Sequence, residues 1–354
     1  MSLSVAQFII LGIAAFLLSG ILTAPVRRLA IRVGAMDAPT LERKTQEIPV
    51  PYLGGVSIAI TVSIITLAAV LASDSTGSTF LLASYVLVPA LFMALMGLVD
   101  DLKGLPPLPR LALQTIAGLA VALVLVSTDT MGVAFNSLAL DIGISVLWIV
   151  GICNSINFFD NIDGGAAGTV AIATLGIALI AYSRQQELVT ALAVVTGGAT
   201  FGFLLWNKAP AKIYMGDAGA LFLGVLLSVL TIRLNPGIVP NWKSLSIPPI
   251  LLAVPILDTC IAVTSRIKRG ISPLQGGRDH LSHRLVRKGL QRKTAAITLW
   301  ALGAIFGLFA VSIYFWSDPL GAELIFGAFI FWSILFVWFW RIPSYDMHES
   351  GKIE

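Results

Sequence analysis

Uncharged apolar stretches of about 17 to 25 residues can each cross the hydrocarbon core of a bilayer as one helix. Such stretches recur from one end of this chain to the other. Eleven spans are expected, at 5 to 24, 53 to 73, 80 to 99, 111 to 127, 142 to 158, 165 to 183, 188 to 206, 218 to 232, 245 to 264, 295 to 316 and 324 to 340. Of the 354 residues, 57% are hydrophobic and 12% charged, against about 25% charged in soluble domains. The expected fold is therefore all-α, a polytopic integral membrane protein of about eleven transmembrane helices. The first stretch has no Lys or Arg before it and no small-residue cleavage site, so it reads as a retained span and not as a signal peptide. Cys153 and Cys260 fall inside spans, as apolar filler.

An odd number of spans puts the termini on opposite sides. With the N-terminus out and the C-terminus in, 20 of the 23 Lys and Arg residues lie inside, and only Arg184, Arg233 and Lys243 lie outside. The positive charge (net +4) is thus a topology signal and not a nucleic-acid footprint. Five inner loops follow, roughly 25–52, 100–110, 158–164, 207–217 and 265–294, each separated from the next by a two-helix hairpin. The outer connections are short. Residues 1–354 are read as one transmembrane unit with its chemistry on the cytoplasmic face of the inner (plasma) membrane.

Four groups of polar residues stand on that face. Asp100 and Asp101 end a span, where like charges invite a nearby cation, and Arg110 is placed to meet a phosphate. The run Asn154, Asn157, Asp160, Asp163 repeats at three-residue intervals, which on a continuing helix lines up one flank. Oxygen-only groups of this kind suit a hard cation such as Mg²⁺ rather than Zn²⁺. Tyr214 and Asp217 sit among glycines that permit close approach of backbone or phosphate. His280, His283 and Arg284 lie in the long basic loop, which suits a diphosphate better than it suits zinc. Each group also has a plainer reading, as a boundary charge, a polar helix seam, a helix cap or a lipid-headgroup contact. Asp258, inside a span, is read either as functional or as a structural partner of Arg266.

Taken in order, the motifs resemble the MraY and WecA superfamily of polyprenyl-phosphate N-acetylhexosamine-1-phosphate transferases. The resemblance is carried by Arg43-Lys44, by Pro49 to Gly55, by Asp100-Asp101, by Asn154 to Gly164, by Met215-Gly-Asp217-Ala-Gly219 and by His280 to Arg284. It implies Mg²⁺ (Mn²⁺ as the alternative) held by Asp217 with help from Asn157, and a uridine pocket near Asp163 and Tyr214. It also implies diphosphate contacts from the histidine loop, and Asp100 and Asp101 facing the lipid phosphate. Lys44, Asn154, Arg110 and Arg284 would bind substrate, while Asp160 and the two histidines would join Asp100, Asp101 and Asp163 in catalysis. Gln46, Tyr52 and Asn161 depart from the family pattern. Ser282 interrupts the histidine run, which favours the WecA-like branch using UDP-N-acetylglucosamine over the branch using the muramyl-pentapeptide nucleotide.

The expected partners are a UDP-activated N-acetylhexosamine, an undecaprenyl or decaprenyl phosphate and the membrane, with no nucleic acid; a homodimer is left open. The expected reaction releases UMP and starts a cell-envelope glycan, either by direct attack of the lipid phosphate or through a covalent carboxylate intermediate. CDP-alcohol phosphotransferases continue differently after Asp-Gly. A secondary transporter would hold its charges near the bilayer midplane and show inverted repeats.

Overall fold

The computed structural model describes residues 3–37, 49–72, 76–274 and 276–343. Among them, apolar runs become helices because a backbone surrounded by lipid must satisfy its own hydrogen bonds. In chain order these are α1 (Val5–Arg32), a two-residue antiparallel pair β1 (Met36–Asp37) and β2 (Val50–Pro51), then α2 (Gly54–Leu71), α3 (Thr76–Lys103), α4 (Pro107–Ser127), α5 (Leu138–Phe159), α6 (Gly165–Ser183) and α7 (Glu187–Asn207). They continue with α8 (Gly216–Arg233), α9 (Asn241–Leu251), α10 (Ala253–Lys268), the short α11 (Leu281–Arg287), α12 (Arg292–Phe315) and α13 (Gly321–Trp340). Ten of these helices are long and apolar enough to span a membrane, and α9 with α10 raises the number to eleven if the pair is one span.

That pair is the main departure from the expected helix pattern. The continuous span expected at 245 to 264 is instead bent by 71° around Leu252. Pro248 and Pro249 remove two backbone donors from the last turns of α9, and hydropathy alone cannot see such a break.

The most enclosed helix is α8, whose side chains are buried nearly all round. It packs against α2, α3 and α5, while α1 with α7 and α6 with α12 extend the bundle. The outward faces of peripheral helices carry large apolar side chains such as Ile10, Leu17, Leu147 and Phe329, as lipid contact requires. The contact between α2 and α8 is made by backbone. Gly55 and Gly219 approach so closely that a Cβ on Gly55 would lie 2.1 Å from the Gly219 Cα. The amides of Gly54 and Gly55 donate to the carbonyls of Tyr214 (2.9 Å) and Met215 (2.8 Å), and Tyr214 donates back to Pro51 (2.9 Å). The start of α8 is thereby stitched to the start of α2, which fixes where the first acidic residue of α8 can point.

Candidate active site

At that end of the bundle lies a cavity of about 730 Å³, walled by residues from all five segments expected to face inward. Met36, Asp37 and Tyr52 come from the first, Asp101 and Arg110 from the second, Asn157 to Asp163 from α5 and the turn after it, Tyr214, Gly216 and Asp217 from the fourth, and Arg266 to Arg292 from the last.

The carboxylates of Asp101, Asp160, Asp163 and Asp217 are part of the cavity wall. Gly216 adopts φ +75°, a conformation that disfavours side chains, and launches α8 so that Asp217 occupies its first turn. Asp101 accepts from the Asp217 amide at 2.9 Å and the Ala218 amide at 3.1 Å, so a carboxylate from α3 caps the unsatisfied donors of α8. Asp100 lies beneath, outside the cavity wall, and accepts from the Leu105 amide and from Arg110, both at 2.7 Å. Arg110 also reaches Asp217 at 3.3 Å. The adjacent acids therefore differ: Asp101 faces the cavity, whereas Asp100 holds Arg110 in place.

Asn157 donates to the other Asp217 oxygen at 2.6 Å. The run beginning at Asn154 does not continue as one helix, because α5 stops at Phe159 and Asp160 caps its end. Asn154 is turned away from the cavity. It donates to Gln114 of α4 at 2.6 Å and to the Val150 carbonyl at 2.8 Å, a polar seam between helices instead of a substrate contact. Burial, with the charges of Asp101 and Asp163 added, pushes the Asp160 carboxyl up to about 7, against the opposing hydrogen bond from the Gly216 amide. Asp163 accepts from the Ala211 amide at 3.0 Å and from Arg292 at 3.4 Å. Burial first, and then the charge of Asp163, push the Tyr214 phenol up to about 12 against the opposing charge of Arg292.

The cavity wall also carries arginines and histidines from the last inner segment. Arg266 donates to Asp279 (2.9 Å) and to the Pro273 carbonyl (2.9 Å), lies over the Phe158 ring at 5.2 Å, and meets His280 Nε2 at 3.1 Å. The other ring nitrogen of His280 faces Asp258 at 2.7 Å. Asp258 thus pairs with His280, and Arg266 turns to Asp279. Both ring nitrogens of His280, expected to contact the diphosphate, are engaged by protein partners. Arg284 is also displaced from its expected role. It donates to the carbonyls of Asp279 (2.9 Å), Phe339 (3.0 Å) and Ile342, tying α11 to the end of α13, and contributes nothing to the cavity wall. Lys44 lies outside the described residues.

His283 lines the cavity with a buried Nδ1 that has no hydrogen-bond partner among the described residues. Burial, followed by His280, Arg287, Arg278 and Arg292, pushes its pKa from 6.5 down to about 3. Between those values the unfolded chain binds a proton that the folded protein refuses, so this contribution to stability is complete above pH 6.5 and declines as the pH falls towards 3. Thermal denaturation from pH 7 to pH 5 should accordingly be less acid-sensitive in His283→Gln than in the parent protein, by up to about 1.4 kcal/mol per pH unit. Equal slopes for the two proteins would mean that His283 is not held neutral.

Sequence reasoning passed over Arg266 as a wall residue, and with it Arg278, Arg292 and Phe158. The arginines read as ordinary positive charge at the ends of spans, and Phe158 as one more apolar residue. Only the fold brings them into one cavity with the carboxylates. No three carboxylates or histidines among the described residues converge as a ready-made metal cage. The donor set of Asp217 and Asn157, with Asp101 and Asp160 on the same wall, nevertheless fits a hard divalent ion bound through one or two carboxylates plus substrate phosphates and water.

Residues 83–235 match the family described as Glycosyl transferase family 4. The chain is 35% identical to a probable undecaprenyl-phosphate N-acetylglucosaminyl 1-phosphate transferase of Bacillus subtilis, over 89% of this chain and 87% of that protein. It is 31% identical to a decaprenyl-phosphate N-acetylglucosaminephosphotransferase of Mycolicibacterium smegmatis, over 93% and 87%. A phospho-N-acetylmuramoyl-pentapeptide-transferase of Streptococcus agalactiae matches at 31% over 52% and 60%. On this near full-length likeness, the chain belongs to glycosyl transferase family 4, the superfamily of polyprenyl-phosphate N-acetylhexosamine-1-phosphate transferases.

Proposed function

We propose that this protein transfers N-acetylglucosamine-1-phosphate from UDP-N-acetylglucosamine to a polyprenyl phosphate, releasing UMP, at the cytoplasmic face of the inner membrane. The observation that carries the reading is a cavity lined by both signs of charge, with Asp101, Asp160, Asp163 and Asp217 sharing its wall with Arg110, Arg266, Arg278 and Arg292. The N-acetylglucosamine donor is favoured because the relatives named for it match nearly end to end, whereas the muramoyl-pentapeptide relative matches over about half of the chain.

Both reactants are anions. At an effective dielectric of about 20, two unit charges about 4 Å apart repel by roughly 4 kcal/mol. The cavity arginines would offset that repulsion and hold the diphosphate, while Tyr214 and Asp163 would receive the nucleoside. Asp217, steadied by Asn157 and Arg110, would hold Mg²⁺ together with substrate oxygens. Bound there, the ion would supply charge neutralisation for the leaving phosphate. A phosphate monoester has a second pKa near about 6, so the lipid phosphate is already largely dianionic at neutral pH and needs no base. Both oxygens of Asp100 and both of Asp101 already accept hydrogen bonds that hold the fold. This supports direct attack on the sugar-bearing phosphorus over a covalent intermediate on either residue.

Purified protein given radiolabelled UDP-N-acetylglucosamine, undecaprenyl phosphate and Mg²⁺ should move label into an organic-extractable lipid, and should cease to do so on chelation. Label that stays in water with folded protein would count against the reading. The N-out, C-in orientation belongs to the same proposal. A fluorescent protein fused after Glu354 should mature, and alkaline phosphatase fused there should be inactive; the reverse pattern would put the cavity on the other face.

A further inference from the structure

We propose that Asp258 is a positioning residue for the transfer reaction: it holds His280 in the Nδ1–H tautomer, so that His280 Nε2 accepts from Arg266 and fixes that guanidinium at the cavity wall. The inference rests on the phosphotransferase reading, but its first readout does not require turnover.

An arginine guanidinium has donors only. The 3.1 Å contact between Arg266 Nη2 and His280 Nε2 is a hydrogen bond only if Nε2 carries no hydrogen. The 2.7 Å contact between His280 Nδ1 and the Asp258 carboxylate is one only if Nδ1 does carry one. Together the two contacts select one tautomer of the ring. Asp258 is fully buried in α10, and its second oxygen accepts from the Leu281 amide at 2.7 Å, so the carboxylate cannot swing away without leaving an unpaired donor. Arg266 follows eight residues later on the same helix. Its remaining contacts, to Asp279, the Pro273 carbonyl and the Phe158 ring, fix the plane of the guanidinium beside the cavity. A guanidinium oriented before the phosphate arrives has less freedom to lose on binding it.

Asp258→Asn tests this directly. The substituted amide has one oxygen and one NH₂. With the oxygen kept by the Leu281 amide, the NH₂ faces Nδ1 and drives the ring to its Nε2–H form, which then points a hydrogen at Arg266. In a triad whose imidazole itself moves the proton, the same change costs about 10⁴-fold through the wrong tautomer. Here the ring only orients an arginine, so a smaller loss is expected, about 10- to 100-fold, borne mainly by the KM for the UDP-sugar.

Three measurements decide it. In ¹⁵N-histidine spectra of the parent protein, the His280 signals, identified by their loss in His280→Gln, should show a hydrogen-bearing Nδ1 and a bare Nε2. An Nε2–H form or a doubly protonated ring would overturn the proposal even if Asp258→Asn failed to fold. In folded Asp258→Asn the two nitrogen signals should exchange character; an unchanged tautomer would overturn it. Finally, His280→Gln offers an acceptor to Arg266 that does not depend on residue 258. Adding Asp258→Asn to it should raise the KM by less than about twofold, since the coupled pair is already broken. A full additive loss would make Asp258 a purely structural tie to Leu281. Absence of UMP release from the parent protein would count against the phosphotransferase reading, and the tautomer result would stand separately.

Discussion

Asp217→Asn is expected to lower turnover by about three orders of magnitude while leaving the fold intact. The substitution keeps the shape of the side chain and removes its charge. Asn157 can still donate to the remaining oxygen, and Arg110 retains its shorter bond, 2.7 Å, to Asp100. What disappears is the carboxylate that stands at the first turn of α8 and faces the cavity. Two readouts should move together: the rate of UMP release, and the rise in melting temperature on adding Mg²⁺, present in the parent protein and absent in the variant. Retained turnover with retained Mg²⁺ stabilisation would remove Asp217 from the metal site.

Gly55→Val is expected to act as strongly from the far side of α8, through packing. A Cβ at this position would fall 2.1 Å from the Cα and 2.2 Å from the amide nitrogen of Gly219, both backbone atoms that cannot rotate aside. Overpacking of a core commonly costs about 1–3 kcal/mol, and a backbone-to-backbone clash belongs at the top of that range. The helices must part, and with them the bonds from Gly54 and Gly55 to the segment just before Asp217. A misplacement of about 1 Å at a reacting centre can cost about 100-fold in rate. The variant should melt at a lower temperature, and whatever remains folded should turn over below about 1% of the parent rate. Normal activity would show that the contact between α2 and α8 does not set the position of Asp217.

Most of the architecture is legible in the sequence because lipid imposes one rule on every span. The break at Leu252 is not, since an apolar run reads the same straight or bent. The site is legible as a set of segments and less so as individual side chains. Asp160 and Asp163 reach the cavity, yet the helix thought to carry them ends at Phe159, and Asn154 faces Gln114. A spacing of three residues could not say which way the flank points. His280 was expected to act chemically, and its environment turns it towards Arg266; Arg284, beside it, anchors the end of α13. These outcomes depend on long-range partners, Asp258 across 22 residues and Phe339 across 55, which no local pattern contains.

The most direct test of the central claim is UMP release by the purified protein with undecaprenyl phosphate and Mg²⁺, comparing UDP-N-acetylglucosamine, UDP-N-acetylmuramyl-pentapeptide and no donor. Turnover with the first donor alone, dependent on the lipid phosphate, is the predicted result. UMP released only from the muramyl-pentapeptide nucleotide, or from neither donor by folded protein, would contradict it.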